Sequence, residues 1–261
     1  RKIDALQGEA ARLEVAIDAV EARTPERLAA ALRQYEPIVA RRVIDPPTFL
    51  EWNTWRVFVS FNHAREIRPY LQLDSDLQPL GPAPGNGPDL VVTFDDYLLV
   101  VEVTLRRGAD QRQHESRPVT RHVLDIQRNA QPRPVLALFL APSIHSDTAT
   151  DFFVALKYRV IEREQIAVIP LRIAQFIKIM QPFASADSSE PLDPAAALRA
   201  LCEEFIAACL AAETGEEWLE RIDEVVVGWR SSLRGEDAEA ATPPSSLRPQ
   251  PLFDATPALP R

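Results

Sequence analysis

The chain has 261 residues, of which 46% are hydrophobic, and a formal net charge of −9 at pH 7. That length and apolar content are enough for one good core with appendages. The acidic charge argues against tight DNA binding by the chain alone, because stand-alone nucleic-acid binders are usually basic. It does not argue against a cleavage module that something else delivers to DNA.

The chain shows no membrane or secretion signal. No run of about 18 apolar residues exists, so no membrane span is expected, and no signal-peptide pattern opens the sequence. The two cysteines, Cys202 and Cys209, lie among Leu and Ala and are predicted to be core residues with free thiols. A reduced, cytoplasmic protein is therefore predicted. The chain begins with Arg1, so we expect it to be cut from a longer protein.

Helices are predicted for the first part of the chain. Apolar residues recur at helical spacing over residues 1–22, and the string Thr-Pro-Glu at residues 24–26 is a start signal for a second helix ending near Tyr35. Together, residues 1–44 are predicted to be a helical linker or extension. A third helix, apolar on one side, is predicted to begin at Asp45-Pro46-Pro47.

A β-hairpin is predicted at the centre of the chain, where residues 88–102 read PDLVVTFDDYLLVVE. The two apolar runs are strand-length, and Asp95-Asp96 would form the turn between them. Asp89 lies at the mouth of the first run, and Glu102 lies inside the end of the second. These two carboxylates would be close across the hairpin, where their repulsion needs a counter-charge such as Mg²⁺.

The remainder of the chain alternates helices and strands. The predicted elements are a helix over 116–129, strands over 67–73, 134–140 and 165–170, and helices over 148–161, 173–180, 194–210 and 216–229. This order predicts an α/β domain with a mixed β-sheet covered by helices. We assign the core to residues 45–182, C-terminal helices to 192–230 and a disordered tail to 231–261, with a Ser/Asp/Pro linker over 183–191.

The pair Asp89 and Glu102 has the layout of a PD-(D/E)xK nuclease site. Pro88 precedes the aspartate, and the glutamate follows 13 residues later. The lysine expected two positions after the glutamate is replaced by Thr104. A PD…E pattern alone is a weak signal, because it occurs by chance in many α/β proteins.

The longer string EVTLRRGADQRQHESRPVTRH, residues 102–122, closely resembles the catalytic segment of the AlwI-type restriction endonucleases. That family belongs to the FokI-like cleavage domains and includes nicking enzymes. Its lysine is likewise replaced by threonine, which matches Thr104. The resemblance covers roughly residues 45–180 and is most specific over residues 88–122. The catalytic positions that it implies are Glu51, Asp89, Glu102, Thr104, Glu115 and His122.

The resemblance implies a type IIS restriction enzyme that hydrolyses phosphodiester bonds of double-stranded DNA with Mg²⁺, or with Mn²⁺ as a substitute. Asp89 and Glu102 would hold the metal. A recognition domain would lie N-terminal to this piece, and a second nuclease subunit or a transient homodimer is the expected protein partner. The candidate contacts to the DNA backbone are Arg106, Arg107, Arg112 and Arg121, together with Arg117. A solvated basic face is the alternative interpretation of these arginines.

Spacing alone leaves several of these residues open. Glu51 is compatible with a solvated helix position, and His122 with a histidine packed on the sheet. Glu115 and His122 are two helical turns apart and would share a face, although Pro118 predicts that the helix begins after Glu115. If the family assignment is right, Asp89, Glu102, Glu115 and His122 converge on one cleft, with Glu51 at its edge.

Two functions therefore stay open. The first is a metal-dependent endonuclease. The second is a catalytically inactive nuclease-like fold that serves as a DNA- or protein-binding or dimerisation module, which the acidic charge and the missing lysine favour. The joint presence of Asp89, Glu102, Glu115 and His122 favours the first, because a dead site has no physical need to keep carboxylates that are unfavourable to bury.

Overall fold

A computed structural model describes residues 24–130, 132–184 and 193–233. The helix predicted over residues 1–22, most of the linker predicted over 183–191 and the tail beyond residue 233 lie outside the described residues. Among the described helices, none combines the length and apolar character that a membrane span needs.

Five strands form one mixed sheet, as the sequence predicts. The strands, in chain order, are β1 (Glu66–Pro69), β2 (Gln72–Leu73), β3 (Pro79–Gly81), β4 (Leu90–Thr93), β5 (Leu98–Val103), β6 (Val135–Ala141) and β7 (Val168–Arg172). The large sheet has the order β1-β4-β5-β6-β7, and β2 pairs with β3 separately. The first three strands of the large sheet are antiparallel neighbours, whereas β5, β6 and β7 run parallel.

Helices cover this sheet. They are α1 (Pro25–Val39), α2 (Pro46–Phe61), α3 (Gly108–Ala130), α4 (Ser146–Lys157), α5 (Ile173–Met180), α6 (Pro194–Ala211) and α7 (Gly215–Leu233), with a 3₁₀ turn over Gln181–Ala184. Every residue of β6 is buried, as expected for a central parallel strand that is covered on both faces.

The predicted hairpin is confirmed. Leu90 pairs with Val101 and Thr93 with Leu98 in an antiparallel ladder, and the Phe94 amide donates to the Tyr97 carbonyl at 3.0 Å across the Asp95-Asp96 turn. Because Leu90 lies opposite Val101, the preceding Asp89 comes next to Glu102 at the same end of the hairpin.

The predicted start of α3 is wrong. The helix begins at Gly108, eight residues before the expected position, and runs through Pro118. The buried Gln111 holds its first turn: its Nε2 donates to the carbonyls of Arg106 and Ser143, and its Oε1 accepts from the His145 amide. The contacts with Ser143 and His145 are tertiary and stabilise the first turn, which lies before the backbone hydrogen bond that Pro118 cannot form.

Other boundaries also differ from the predictions. The helix α1 continues past Pro37 to Val39, and the strand expected over 67–73 is divided into β1 and β2. The helix α4 ends at Lys157 rather than at 161, because a turn with left-handed backbone at Arg159, Glu162 and Arg163 follows, and β7 then begins only at Val168. Residues 231–233, predicted to be in the tail, belong to α7.

The helices α6 and α7 pack against each other and against α4. Cys202 and Cys209 are buried free thiols of α6, as predicted. Gly215 begins α7 in close contact with α4, since a Cβ atom at this position would lie 2.7 Å from the Cα atom of Thr150. A side chain is therefore excluded at the α4–α7 contact.

Candidate active site

A cleft of about 890 Å³ lies at the carboxyl end of β5. Its walls come from the end of α1, the first turns of α2, the loop before β4, the end of β5 and one face of α3. All six predicted catalytic residues line it: Glu51, Asp89, Glu102, Thr104, Glu115 and His122. Four parts of the chain, namely α2, the residue before β4, the end of β5 and α3, thus bring these side chains to one place.

Asp89 is fixed by the hairpin that it opens. Its Oδ2 accepts a hydrogen bond of 2.8 Å from the Val103 amide, just beyond Glu102 on the partner strand. Burial raises the pKa of Asp89 well above its usual range, and the negative charges of Glu102, Glu51 and Glu115 raise it further. A carboxylate in this position gains stability if a cation compensates its charge.

Glu102 and His122 form a buried pair. The Nδ1 of His122 lies 2.8 Å from Oε1 of Glu102, and each side chain is 7% exposed. Burial, followed by the charge of Glu115, raises the pKa of Glu102 well above its usual range, while a backbone hydrogen bond at Asp89 lowers it. Burial, followed by the charge of Arg121, lowers the pKa of His122, so the imidazole is favoured in its neutral form.

The other ring nitrogen of His122, Nε2, is buried and has no hydrogen-bond partner among the described residues. When an ionised Glu102 accepts a hydrogen bond from Nδ1–H, the lone pair of a neutral imidazole is located at Nε2. An unpaired buried polar atom is unfavourable. This atom is therefore suited to a group that enters the cleft.

Thr104 occupies the position at which a lysine was expected from the general nuclease pattern. Its hydroxyl donates to Oε1 of Glu115 at 2.9 Å and accepts from the Arg106 amide at 3.1 Å. The Arg106 guanidinium reaches Glu115 at 3.0 Å and Asp110 at 2.8 Å. Thr104 thus positions Glu115, and Arg106 balances much of the negative charge on this side of the cleft.

Glu51 lies at the edge of the cleft, on α2. It is half-buried, and its Oε2 accepts a hydrogen bond of 2.7 Å from the Ala83 amide. Burial raises the pKa of Glu51 to about 7, with a smaller contribution from Asp45, although the Ala83 hydrogen bond opposes the shift. A solvated helix position, the alternative interpretation from the sequence, is therefore wrong.

A family model for the AlwI restriction endonuclease matches residues 26–179, more than half of the chain. The chain belongs to the AlwI restriction endonuclease family. Family membership gives it a nuclease-type function associated with restriction–modification, and implies DNA binding. A comparison with curated proteins gives no match.

Solved structures agree with this assignment. The small subunit (R.BspD6I2) of the heterodimeric restriction endonuclease R.BspD6I is similar with a TM-score of 0.64 and 26% sequence identity. The alignment covers 75% of the present chain and 98% of that subunit. The predicted fold, a restriction-endonuclease-like mixed sheet flanked by helices, is therefore confirmed.

The oxygen donors of this AlwI-family cleft fit a hard divalent cation. Within the described residues, no group of three or more His, Cys, Asp and Glu side chains has a metal-binding arrangement. Mg²⁺, however, usually keeps several waters and is bound through only one or two carboxylates. Asp89 and Glu102 can supply these two, and the Oδ1 of Asp89 accepts no hydrogen bond from any described residue.

The predicted DNA-contacting arginines are divided between two locations. Arg106 and Arg107 line the cleft. Arg112 instead pairs with Asp147 and Asp151 on α4, and neither it nor Arg121 or Arg117 lines the cleft. The structure thus brings only the first two of these arginines to the candidate site.

Sequence reasoning missed several residues of the cleft. Asp110 and His114 lie two turns and one turn, respectively, before Pro118 and line the cleft. They were missed because the helix was expected to begin only at residue 116. The backbone amide of Ala83 carries no sequence signal, since it comes from a loop rich in proline and glycine. Arg41, just after α1, was missed because the first 44 residues were assigned to a linker.

Proposed function

We propose that this protein is the catalytic subunit of a metal-dependent restriction endonuclease that hydrolyses phosphodiester bonds of double-stranded DNA. The observation that carries the proposal is the arrangement of Asp89, Glu102 and His122. Two strand-end carboxylates lie side by side, and one of them is hydrogen-bonded to an imidazole whose second nitrogen has no partner among the described residues. This combination suits phosphodiester hydrolysis, which needs charge neutralisation and proton removal from water.

Asp89 and Glu102 would hold Mg²⁺ or Mn²⁺, which supplies charge neutralisation at the phosphate and a lowered water pKa when bound. The residues of the chain provide the rest. An ionised Glu102 accepts a hydrogen bond from the Nδ1–H group of His122 and thereby fixes both the ring orientation and the tautomer. The Nε2 atom of His122 is then available to accept a proton from the attacking water.

Glu51 and Glu115 have supporting roles in the same proposal. A carboxyl group with a pKa of about 7 can exchange a proton near neutral pH, so Glu51 is suited to proton transfer at the cleft edge. Glu115, held by Thr104 and Arg106, orders the helix face that carries His122. In this arrangement no lysine at position 104 is required.

Simultaneous cleavage of both strands requires a second active site, because one cleft hydrolyses one phosphodiester bond at a time. The similar small subunit comes from a heterodimeric enzyme, which supports a second nuclease subunit as the partner of this chain. A transient homodimer would satisfy the same requirement. Cleavage by the single chain would then give nicked rather than linear DNA.

The test combines metal binding with cleavage. Wild-type protein should bind Mn²⁺ in an electron paramagnetic resonance titration and nick supercoiled plasmid with Mg²⁺ or Mn²⁺ but not with EDTA. The E102Q variant should lose both properties and keep its circular dichroism spectrum. A wild-type protein that neither binds Mn²⁺ nor cuts DNA, alone or with its partner, would refute the proposal and support the inactive binding module.

A further inference from the structure

The candidate cleft presents an electrostatic problem for a nucleic acid. Its lining carries five acidic side chains, namely Glu51, Asp89, Glu102, Asp110 and Glu115, and the chain as a whole has a net charge of −9. Phosphates of a DNA strand are repelled from such a surface unless cationic groups meet them. A bound metal neutralises charge at one point only, so the flanking phosphates need other cations.

The Arg106 side chain is not available to bind these phosphates. Its guanidinium is already paired with Asp110 and Glu115. The remaining arginines of the lining are Arg41 and Arg107. Both are exposed, and within the described part of the chain neither side chain forms an ion pair or a hydrogen bond. They are therefore the cations that the cleft can offer to an anion.

The backbone of Arg41 is unusual. Its φ angle is 55°, in the left-handed region. The Arg41 amide donates to the Ile38 carbonyl at 2.9 Å, and the Arg42 amide donates to the Pro37 carbonyl at 2.8 Å. This pattern is the Schellman ending of a helix, in which the left-handed position is usually glycine. A residue with a Cβ atom is less favourable there.

The neighbouring Arg42 provides a comparison. Its side chain pairs with Glu36 on α1, so its charge is used within the fold. The Arg41 side chain has no such partner among the described residues, although its backbone position favours glycine. Unfavourable backbone conformations that persist in a structure occur preferentially at functional sites. Arg41 lines the cleft, so a functional role for its side chain is expected there.

Arg41 and Arg107 belong to the same rim. Val39, Ala40 and Arg107 line both the cleft and an adjoining groove between α1 and α5. The end of α1 and the loop after β5 therefore meet here, and each contributes one unpaired arginine. Guanidinium groups are well matched to phosphate oxygens, which they can bind through two hydrogen bonds.

We propose that Arg41, together with Arg107, binds backbone phosphates of the DNA strand next to the bond that is cut. This inference rests on the proposed nuclease function and adds a substrate-binding site that lies outside the catalytic side chains. Arg41 contacts phosphate without regard to base identity. The site therefore contributes to affinity and to strand position, not to sequence recognition.

The test replaces Arg41 by glycine and uses Arg163 as a matched control. Arg163 is also an exposed arginine with a left-handed φ, 63°. It precedes the amino end of β7, which runs parallel to β5. Glu102 is near the carboxyl end of β5, so Arg163 and the cleft lie at opposite ends of these strands. The R41G and R163G variants thus make the same change in charge and in backbone strain. R41G makes it at the cleft, and R163G makes it away from the cleft.

Binding is measured with a fluorescein-labelled duplex in Ca²⁺ buffer, by anisotropy between 50 and 200 mM NaCl, with thermal denaturation in parallel. We expect both variants to melt at or above the wild-type temperature. R41G should bind the duplex roughly 3- to 10-fold more weakly at 50 mM NaCl, and its plot of log affinity against log salt should be shallower by about one unit. R163G should bind like wild type, and R41K should recover most of the affinity.

The outcomes separate this inference from the proposed function. Equal affinity and salt dependence of R41G and R163G overturn the role of Arg41, even if the wild type cuts DNA. A wild type that binds the duplex but never cuts contradicts the nuclease function, while the loss in R41G still supports the phosphate site. A wild type without detectable, salt-dependent duplex binding counts against both.

Discussion

The raised pKa of Glu51 predicts an effect on stability that can be measured without DNA or metal. In the folded protein this carboxyl group keeps its proton up to a pH of about 7, whereas in the unfolded chain it ionises near its ordinary value of 4.5. The folded state therefore binds more protons between these two pH values, and Glu51 lowers the stability progressively as pH rises through this window. Above about pH 7 the full unfavourable contribution is present.

The Glu51→Gln change removes this contribution. The amide oxygen can still accept the hydrogen bond that the Ala83 amide donates to Oε2 at 2.7 Å. A shift of the pKa from 4.5 to about 7 corresponds to about 3 kcal/mol at 1.36 kcal/mol for each pKa unit. The variant should thus exceed the wild type in unfolding free energy by about 3 kcal/mol at pH 8, and by less than about 1 kcal/mol at pH 5.

Urea denaturation in EDTA at pH 5 and pH 8 measures this difference. The matched control is Glu220→Gln on α7, since Glu220 is exposed and forms no hydrogen bond or ion pair within the described residues. The control should change stability little at either pH. If the gain from Glu51→Gln is the same at both pH values, then burial does not hold this carboxyl group protonated, and the reasoning is refuted.

Three further predictions follow from the same structure. Glu102→Gln and Asp89→Asn should abolish metal-dependent cleavage in plasmid assays with the proposed partner subunit. Both changes should also raise the melting temperature of the metal-free protein at pH 8, because a repelling charge is lost. A lower melting temperature would contradict the repulsion. Thr104→Lys should increase the nicking rate little, and a gain of cutting from an inactive wild type would indicate a vacated lysine position instead. Gly215→Ala should lower the unfolding free energy measured in urea by about 2 kcal/mol, because its Cβ atom would overlap Thr150. Its control is Gly228→Ala, since no atom lies within 4 Å of the added Cβ. This change should raise the unfolding free energy by roughly 0.5–1 kcal/mol.

The hairpin and its two carboxylates were predictable because the pattern that specifies them is local. Continuous apolar runs on both sides of Asp95-Asp96 determine strand, turn and strand, and pairing then brings Asp89 to Glu102. The buried strand β6 was predictable for the same reason. In each case the side chains that decide the structure are neighbours in sequence.

The start of α3 was not predictable from local signals. Pro118 is usually unfavourable inside a helix, and the first turn is held by Gln111 through contacts with Ser143 and His145, which are more than thirty residues away in sequence. The hydrogen bond from Ala83 to Glu51 and the free guanidinium of Arg41 are likewise tertiary features. The partners on which these residues depend become visible only once the chain has folded.

The two buried thiols of α6 have a practical consequence for spectroscopy. Cys202 and Cys209 are the two cysteines of the chain, and burial raises the pKa of each to about 12. Because maleimide reagents react with exposed thiolates, the native thiols stay unlabelled while α6 remains packed. A cysteine introduced on each wall of the cleft can therefore carry a fluorophore or spin label. The distance between the two labels then measures whether the width of the cleft changes when DNA is added.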